Sequence, residues 1–283
     1  MTRRGSRHFS KAFFAALAFA VAGAVFLPFY WAISLSLRQQ SQTFTVTGLG
    51  VPFVQYRPTL ANWRAELATG EMQRALANSL IIAVSTAAIV IVVGAPAAYA
   101  VARFRFRRPS NEDLTLWFLS QRVLPPVATA APLFLLIHWL GLLDTRTGLV
   151  LLNATFNLPL AVVILRQAFL DLPVELEEAA MVDGAGHGTI LLRICLPLAA
   201  PSLAAAVLIV IAFTWNEFLS GLMIGSLNAK VIPVHIAGAG DTRGVQFWFV
   251  AVRSLIAITP PVILALLAQR YIVRGLTFGA VKG

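Results

Sequence analysis

Apolar residues along this chain gather into six long stretches that are separated by more polar segments. A helix needs about 20 predominantly apolar residues to cross roughly 30 Å of hydrocarbon, and each stretch is close to that length or longer. The pattern predicts an all-α, polytopic membrane protein with six transmembrane helices. They are expected at about residues 13–37, 80–101, 114–140, 148–165, 202–224 and 247–272.

Prolines within two of these stretches are expected to bend their helices, because proline lacks a backbone donor and breaks the helical hydrogen-bond ladder. They are Pro125, Pro126 and Pro132 in the third stretch, and Pro260 and Pro261 in the sixth.

The remaining segments suggest one membrane domain over residues 13–283, preceded by a short basic N-terminus at residues 1–12. The first apolar stretch is too long for the core of a signal peptide, so it is interpreted as an uncleaved anchor. Residues 38–77 are polar and contain glycines and prolines, which predicts a loop with one short helix near residues 60–67. Residues 171–200 form a second long connecting loop.

Composition supports the membrane interpretation. The chain is 58% hydrophobic and only 12% charged, whereas a soluble domain carries about 25% charged residues. Its net charge of +10 comes from arginines spread through several loops, without the basic patch and interleaved aromatics typical of nucleic-acid binding. The single cysteine, Cys195, allows no internal disulfide and is expected to be a small inert side chain.

The basic residues also predict an orientation. They concentrate at the N-terminus, in residues 103–108 and at the C-terminus. Because cytoplasmic loops carry the excess of lysine and arginine, both termini are expected in the cytoplasm. The 171–200 loop then also lies in the cytoplasm, and the 38–77 loop lies outside.

Residues 175–184 form a glutamate- and alanine-rich segment that favours a short helix. Asp171 is placed to cap its start, and Pro173 suits its first turn, where no backbone donor is needed. Glutamates near the start interact favourably with the helix dipole, and Gly184 suits the left-handed position that ends a helix. A second short amphipathic piece is expected at residues 190–194.

The charge of this helix argues against a purely lipid-facing role. Helices that lie on a membrane surface usually carry lysine and arginine on their polar face. This one carries Glu175, Glu177 and Glu178. The sequence therefore indicates a protein partner with a cleft that receives the helix.

The spacing in this loop resembles a known motif. Glu178-Ala179-Ala180 is followed after three residues by Gly184, after nine more by Ile194, and then by Leu196-Pro197. The pattern matches the EAA loop of ATP-binding-cassette (ABC) importer permeases at every defining position. The resemblance implies that the residues coupling the chain to an ATPase are Glu178, Ala179, Ala180, Asp183, Gly184, Ile194, Leu196 and Pro197.

Further segments are similar to the carbohydrate-uptake family of such permeases, which includes the maltose permease subunit MalG. They are residues 78–80, 97–103, 140–145, 215–218 and the ending 274–283. The resemblance covers nearly all of the chain after its first few residues. The EAA spacing is specific to these importers, and the ending narrows the likeness to the sugar branch. Phe278 departs from the family pattern, which has a small residue there.

The resemblance implies a type I ABC importer permease fold with a cytoplasmic coupling helix. The function expected is the permease subunit of an ATP-driven, binding-protein-dependent carbohydrate importer of the inner membrane. The partners implied are a second homologous permease, two ATPase subunits, an extracytoplasmic sugar-binding protein and membrane lipid, with no nucleic acid. The sequence has no phosphate-binding G-x-x-x-x-G-K-[ST] loop. ATP and Mg²⁺ are therefore expected on the partner ATPase, and this chain is expected to bind no cofactor and to be no enzyme.

Polar residues within the apolar stretches are candidates for a substrate path. They are Asn157, Asn216, Glu217 and Arg122. A charge at membrane depth is costly, so these side chains should face the protein interior or water. Two interpretations stay open: the side chains line the path and bind sugar hydroxyls, or Asn216 and Glu217 pair with Arg122 or a partner subunit and fix packing.

Three rival functions are less consistent with the sequence. An ion-coupled secondary transporter requires paired intramembrane acids and a membrane-embedded repeat, whereas Glu217 is the single such acid. A permease of the same superfamily for a non-sugar solute is opposed by the ending and by residues 215–217. A membrane-embedded enzyme or a metal protein is opposed because the histidines are isolated and form no catalytic or ligand spacing.

Overall fold

The computed structural model describes residues 3–241 and 244–278 of the chain. Residues 279–283 lie outside the described residues. They are the last part of the ending that carries the sugar-branch resemblance. The described chain falls into two compact units, one from Met1–Met72 with Ile236–Ala257 and the other from Gln73–His235 with Ile258–Gly283.

The described residues are mostly helical, which confirms the all-α fold. The helices in chain order are α1 Arg3–Ser36, α2 Ala61–Ala68, α3 Glu71–Arg103, α4 Asn111–Ser120, α5 Pro126–Trp139, α6 Arg146–Leu170, α7 Glu175–Val182, α8 His187–Ile190, α9 Leu196–Leu198, α10 Ala200–Trp215, α11 Leu219–Ile224, α12 Ile232–Ala237 and α13 Phe247–Phe278. A 3₁₀ turn lies at Gln40–Gln42, and a π-helical turn at Leu191–Cys195 joins α8 to α9. Two short antiparallel strands, β1 Gly240–Asp241 and β2 Gly244–Val245, precede α13. The predicted helix near residues 60–67 is α2.

Four of the described helices are long and apolar enough to cross a membrane as single helices. They are Phe13–Ser36 within α1, α3, α6, and Phe247–Leu267 within α13. A fifth candidate is the pair His187–Leu198 and Ala200–Trp215, which is bent by 82°. The third predicted span is divided in the structure, and the fifth is interrupted after Trp215.

The third predicted span, 114–140, is two helices rather than one. Helix α4 ends at Ser120, and α5 starts at Pro126 after a non-helical Pro125. Neither proline has a backbone N–H to donate, so Pro126 is tolerated only in the first turn, where no donor is required. The predicted bend is thus a complete break. In α13, by contrast, the helix runs through Pro260 and Pro261 without interruption.

The fifth predicted span, 202–224, is interrupted at Asn216–Phe218. Helix α10 ends at Trp215, and the Asn216 side-chain amide donates to the Ala212 carbonyl at 2.9 Å. The Glu217 carboxylate then accepts a hydrogen bond of 3.0 Å from the Ser220 backbone at the start of α11. Local side-chain bonds of this kind compete with the helical ladder, which explains the break.

The core of the larger unit lies around α6, whose most apolar part is 56% buried. One cluster joins α3, α6 and the π-helical turn, with Ala98, Tyr99, Leu165, Phe169 and Ile190 almost completely inaccessible. Small residues on α3 let the helix backbones approach closely, as membrane helices require. The loop after α6 is therefore packed into the core and is not a free connector. Cys195, as expected, is a free thiol buried in the same cluster.

Candidate functional site

Helix α7 starts later than the sequence predicts. Val174 precedes its first residue, and no side chain caps it. Asp171 instead ends α6 and accepts a 2.9 Å hydrogen bond from Gln167, so the prediction that Asp171 caps α7 is wrong. The Arg103 guanidinium donates to the Leu172 carbonyl at 3.0 Å. That bond uses a carbonyl outside the helix and ties the linker ahead of α7 to the end of α3.

The end of α7 confirms the role predicted for Gly184. The residue has φ +83°, in the left-handed region that favours glycine. Its N–H donates to the Met181 carbonyl at 3.0 Å, and the Ala185 N–H donates to the Ala180 carbonyl at 2.9 Å. These two bonds form a Schellman motif, which satisfies the last carbonyls of the helix. No atom lies within 4 Å of the place of a Cβ, so backbone conformation rather than space requires glycine.

Glu177 fixes α7 to the end of α3, a role that sequence reasoning missed. Its carboxylate accepts a 2.6 Å bond from Arg103 Nε and a 2.8 Å bond from the Tyr99 hydroxyl. The Glu177 and Arg103 side chains are 5% and 13% exposed, so the ion pair is largely shielded from water. A buried carboxylate is tolerated only when paired and hydrogen-bonded, and here both oxygens are used. Tyr99 and Arg103 lie four residues apart and therefore on one face of α3. This spacing was the sequence signal that could have indicated their shared contact with Glu177.

The predicted coupling residues divide into an exposed set and a packed set. Glu178, Ala179, Asp183, Gly184 and Pro197 are exposed. Ala180, Ile194 and Leu196 are partly buried and pack against the α3–α6 core cluster. The structure therefore places three motif positions inside the protein, where they hold the loop, and five at the surface.

The exposed face of α7 is also apolar. Leu176 is 46% exposed, Met181 43% and Val182 88%. Together with Glu178 and Ala179 they form what we call the α7 face. Large apolar side chains concentrated on one short surface helix, rimmed by charge, are typical of a protein interaction site.

The four polar candidates from the apolar stretches come together. Arg122, Asn157, Asn216 and Glu217 line one cavity of about 340 Å³ in the larger unit. The cavity lies beside the breaks between α4 and α5 and between α10 and α11. Non-helical backbone at membrane depth is tolerated where it borders a cavity. The other residues lining it are Gln121, Leu124, Pro126, Asn153, Phe156, Phe213 and Phe218.

The charged candidates of the cavity do not pair with each other. Arg122 donates to the Phe156 carbonyl at 3.4 Å and lies 4.7 Å from the centre of the Phe213 ring. Glu217 is engaged with the Ser220 backbone. Among these described residues there is no ion pair between Arg122 and Glu217, so the pairing of Glu217 with Arg122 considered from the sequence is not observed.

Two buried amide oxygens beside the cavity have no hydrogen-bond partner in the structure. They are Oδ1 of Asn153 and Oδ1 of Asn157. The orientation of each amide is set by its nitrogen, because Asn153 donates to the Leu149 carbonyl and Asn157 to the Asn153 carbonyl, both at 2.9 Å. Asn153 was not singled out from the sequence, although its spacing of four from Asn157 places both on one face of α6.

A hydrogen-bonded clamp closes the opposite end of α6. The Asp144 carboxylate accepts backbone bonds of 2.9–3.1 Å from Leu227, Asn228 and Ala229. Burial raises the pKa of Asp144, but these bonds together outweigh burial and hold the pKa below its usual range. Asn78 donates to the carbonyls of Asn228 and Lys230 at 2.8 and 2.9 Å. The 225–231 segment is therefore tied to both α3 and the start of α6.

No group of three or more histidine, cysteine, aspartate or glutamate side chains in the described part of the chain is arranged to hold a metal ion.

A helical membrane fold, a surface helix fixed to a spanning helix, and a polar cavity at two helix breaks define a membrane transport subunit. Residues 13–278 match the family described as the binding-protein-dependent transport system inner membrane component, and the chain belongs to this family. The family and fold expected from the sequence resemblance are thereby confirmed.

Two relatives illustrate the likeness. The chain is 36% identical over 275 residues to the trehalose transport system permease protein SugB of Mycobacterium tuberculosis, covering 96% of this chain and 97% of that protein. It is 36% identical over 260 residues to the trehalose/maltose transport system permease protein MalG of Thermococcus litoralis, covering 90% of this chain and 91% of that protein.

A solved structure shares the fold. It is a bacterial ABC transporter involved in the import of the acidic polysaccharide alginate, with a TM-score of 0.77 and 22% sequence identity. The match covers 95% of this chain and 98% of the other.

Proposed function

We propose that this chain is the permease subunit of an ATP-driven carbohydrate importer, and that the α7 face docks in a cleft of a separate ATPase subunit. The observation that carries the proposal is the division of α7 into a fixed side and an open side. Glu177 is held by Arg103 and Tyr99, while Leu176, Met181 and Val182 are exposed. A helix fixed on one side and apolar on the other is suited to transmit motion from a partner.

In the proposed mechanism, the docked ATPase subunits alternate between an open and a closed state. ATP-driven closure of two ATPase subunits would move the docked helices together, and a rigid loop would pass that movement to the spanning helices. Alternating access of this kind requires that the partner contacts the two states differently. In this proposal both termini lie in the cytoplasm with α7, and a second homologous permease completes the transmembrane path. An extracytoplasmic binding protein delivers the sugar, ATP and Mg²⁺ bind only to the ATPase, and this chain catalyses no reaction.

The cavity supports a carbohydrate as the transported solute. The relatives above are named for trehalose and maltose transport. Sugar hydroxyls both donate and accept hydrogen bonds. The cavity has amide oxygens at Asn153 and Asn157 without a donor, and a guanidinium at Arg122 without a carboxylate partner. Its volume of about 340 Å³ is within the range of small-molecule sites. We therefore assign Arg122, Asn157, Asn216 and Glu217 to the substrate path.

The test is uptake by a transporter reconstituted in liposomes from this chain, a second permease, the ATPase and a soluble binding protein. A radiolabelled disaccharide that the binding protein retains should enter only when ATP is present on the ATPase side. Uptake driven by an ion gradient without ATP would contradict the proposal and favour a secondary transporter. ATP-dependent uptake of a non-sugar solute in place of the sugar would overturn the substrate class alone.

A further inference from the structure

An exposed apolar turn lies in the loop between α1 and α2. Residues 49–54, which we call the apolar turn, include Phe53 and Val54, whose side chains are 85% and 82% exposed. Leu49 and Val51 in the same turn are 50% and 44% exposed. No charged residue occurs anywhere from residue 39 to residue 56. A long uncharged loop with bare aromatic and aliphatic tips is unusual for a surface that faces only water.

The turn is held in a defined position beside the end of α1. The Gly50 carbonyl accepts a 2.8 Å bond from the Ser34 hydroxyl and a 3.2 Å bond from the Tyr30 hydroxyl. Both donors belong to the last two turns of the candidate span Phe13–Ser36. Because the chain folds back along the helix, the apolar turn lies level with the end of the span rather than beyond it.

Arg38 holds the loop in place while its charged group stays shielded from solvent. Its side chain is buried, donates to the Ser34 hydroxyl at 3.1 Å and to the Val46 carbonyl at 3.1 Å, and lies 5.4 Å from the centre of the Tyr56 ring. A Cβ on Gly50 would collide with this guanidinium. The charge of Arg38 is thus turned inward, whereas Arg57, three residues after the turn, is exposed.

Phe53 itself occupies a strained backbone conformation. Its φ is +64°, a region that glycine or asparagine adopts far more readily than an aromatic residue. The Phe53 N–H donates to the Tyr56 carbonyl at 2.8 Å, and the Val51 N–H donates to the Gln55 side chain at 2.7 Å. Strain retained at an exposed position is a reason to look for a function of the side chain.

We propose that the apolar turn inserts into the lipid interface at the end of α1 and acts as a membrane anchor for the 38–77 loop. The occupant is lipid because the turn lies at the end of the candidate span of α1. The most apolar part of that span has no buried residue, and only its last turn, at Ser34–Ser36, is buried. Aromatic and aliphatic side chains are favoured at the boundary between headgroups and acyl chains. Anchoring there fixes the loop relative to the bilayer and goes beyond the proposed transport role.

The test is fluorescence quenching on the assembled transporter in lipid nanodiscs. A fluorophore is attached at Phe53→Cys, at Val54→Cys as a second site with ordinary backbone, and at Ala65→Cys on the exposed face of α2 as a control. Native Cys195 is buried and does not compete for the label. Lipids with a nitroxide near the top of the acyl chain should quench both turn sites at least about twofold more than the control, as insertion of a few ångströms predicts.

Iodide in the water should quench the control more strongly than the two turn sites. Equal iodide quenching at all three positions would overturn the proposal. So would shielding of the turn sites that appears only after the soluble binding protein is added, because the turn would then be a protein-docking surface.

Discussion

The loop around α7 and the cavity at the helix breaks differ in whether their buried polar groups have hydrogen-bond partners. At α7, both oxygens of Glu177 are bonded, to Arg103 and to Tyr99. At the cavity, the amide oxygens of Asn153 and Asn157 are buried without a donor. A satisfied buried network rigidifies its surroundings, whereas an unpaired group costs free energy until something supplies a partner.

Under the proposed function, the two regions meet different demands. A region that transmits motion gains from a fixed geometry, since any slack would absorb the movement of the partner. A region that receives a solute gains from groups whose hydrogen bonds are not yet made, because the solute can then complete them. The contrast separates stability effects from transport effects, and the following substitutions test it in order of decreasing expected loss of stability.

The largest loss is expected for Glu177→Ala. The change leaves the Arg103 guanidinium, 13% exposed, without its carboxylate, and breaking such a pair costs about 3–5 kcal/mol in the free energy of unfolding. Thermal unfolding of the purified transporter measures it. The double change Glu177→Ala with Arg103→Met should recover much of the loss, because it removes both charges. Two losses that simply add would show that the pair is not a coupled unit.

A smaller loss is expected for Gly184→Ala, which places a Cβ at φ +83°. The left-handed conformation costs an L residue about 1–2 kcal/mol. Since the space around the Cβ is open, Gly184→Asn should be less destabilising than Gly184→Ala in the same thermal unfolding measurement. Equal losses for the two variants would mean that the site is limited by space or docking rather than by backbone conformation.

At the cavity the expected effect on stability is near zero or favourable. Asn157→Leu removes a buried oxygen that has no donor, and an unpaired buried group costs about 1–3 kcal/mol. The variant should therefore unfold at the same or a higher temperature while sugar uptake at low substrate concentration falls. If stability drops and uptake per folded transporter stays unchanged, Asn157 is a packing residue and the contrast with α7 fails.

The last prediction concerns the pH dependence of the stability that Asp144 contributes. The pKa of Asp144 is lowered in the folded protein. Its bonds to the 227–229 backbone therefore contribute their full stability at pH values above the pKa of Asp in the unfolded chain, about 3.9. That contribution disappears as pH falls through the lower pKa of the folded protein. Comparison of the wild type with Asp144→Asn should show a shallower loss of stability between about pH 4 and pH 2 in the variant. Parallel pH profiles would contradict the assignment.

Particular residues show how far the sequence alone could reach. Gly184 was predicted correctly because a glycine after a short polar helix has a local meaning. The sequence did not distinguish Glu177 from Glu178, because the face that each residue presents depends on where α7 begins. That start depends on Arg103, which holds Leu172 outside the helix. That contact spans 69 residues and leaves no local signal.

The cavity illustrates the same limit. Arg122, Asn157, Asn216 and Glu217 were each recognisable as polar residues in apolar stretches, but their convergence depends on the packing of α4, α6 and α10. The interruption at Asn216–Phe218 was missed because the apolar run continues to residue 224. The break after Ser120 was underestimated as a bend, although the two consecutive prolines indicated its place.

The proposed coupling of the exposed α7 face to an ATPase can be tested on the reconstituted transporter with Glu178→Lys. ATP hydrolysed per sugar imported should rise several-fold while the amount of assembled membrane protein stays unchanged, because Glu178 is exposed and holds no part of the fold. Asp171→Lys, a charge reversal at the end of α6 outside the α7 face, should leave the ratio unchanged. A normal ratio in Glu178→Lys would contradict the account.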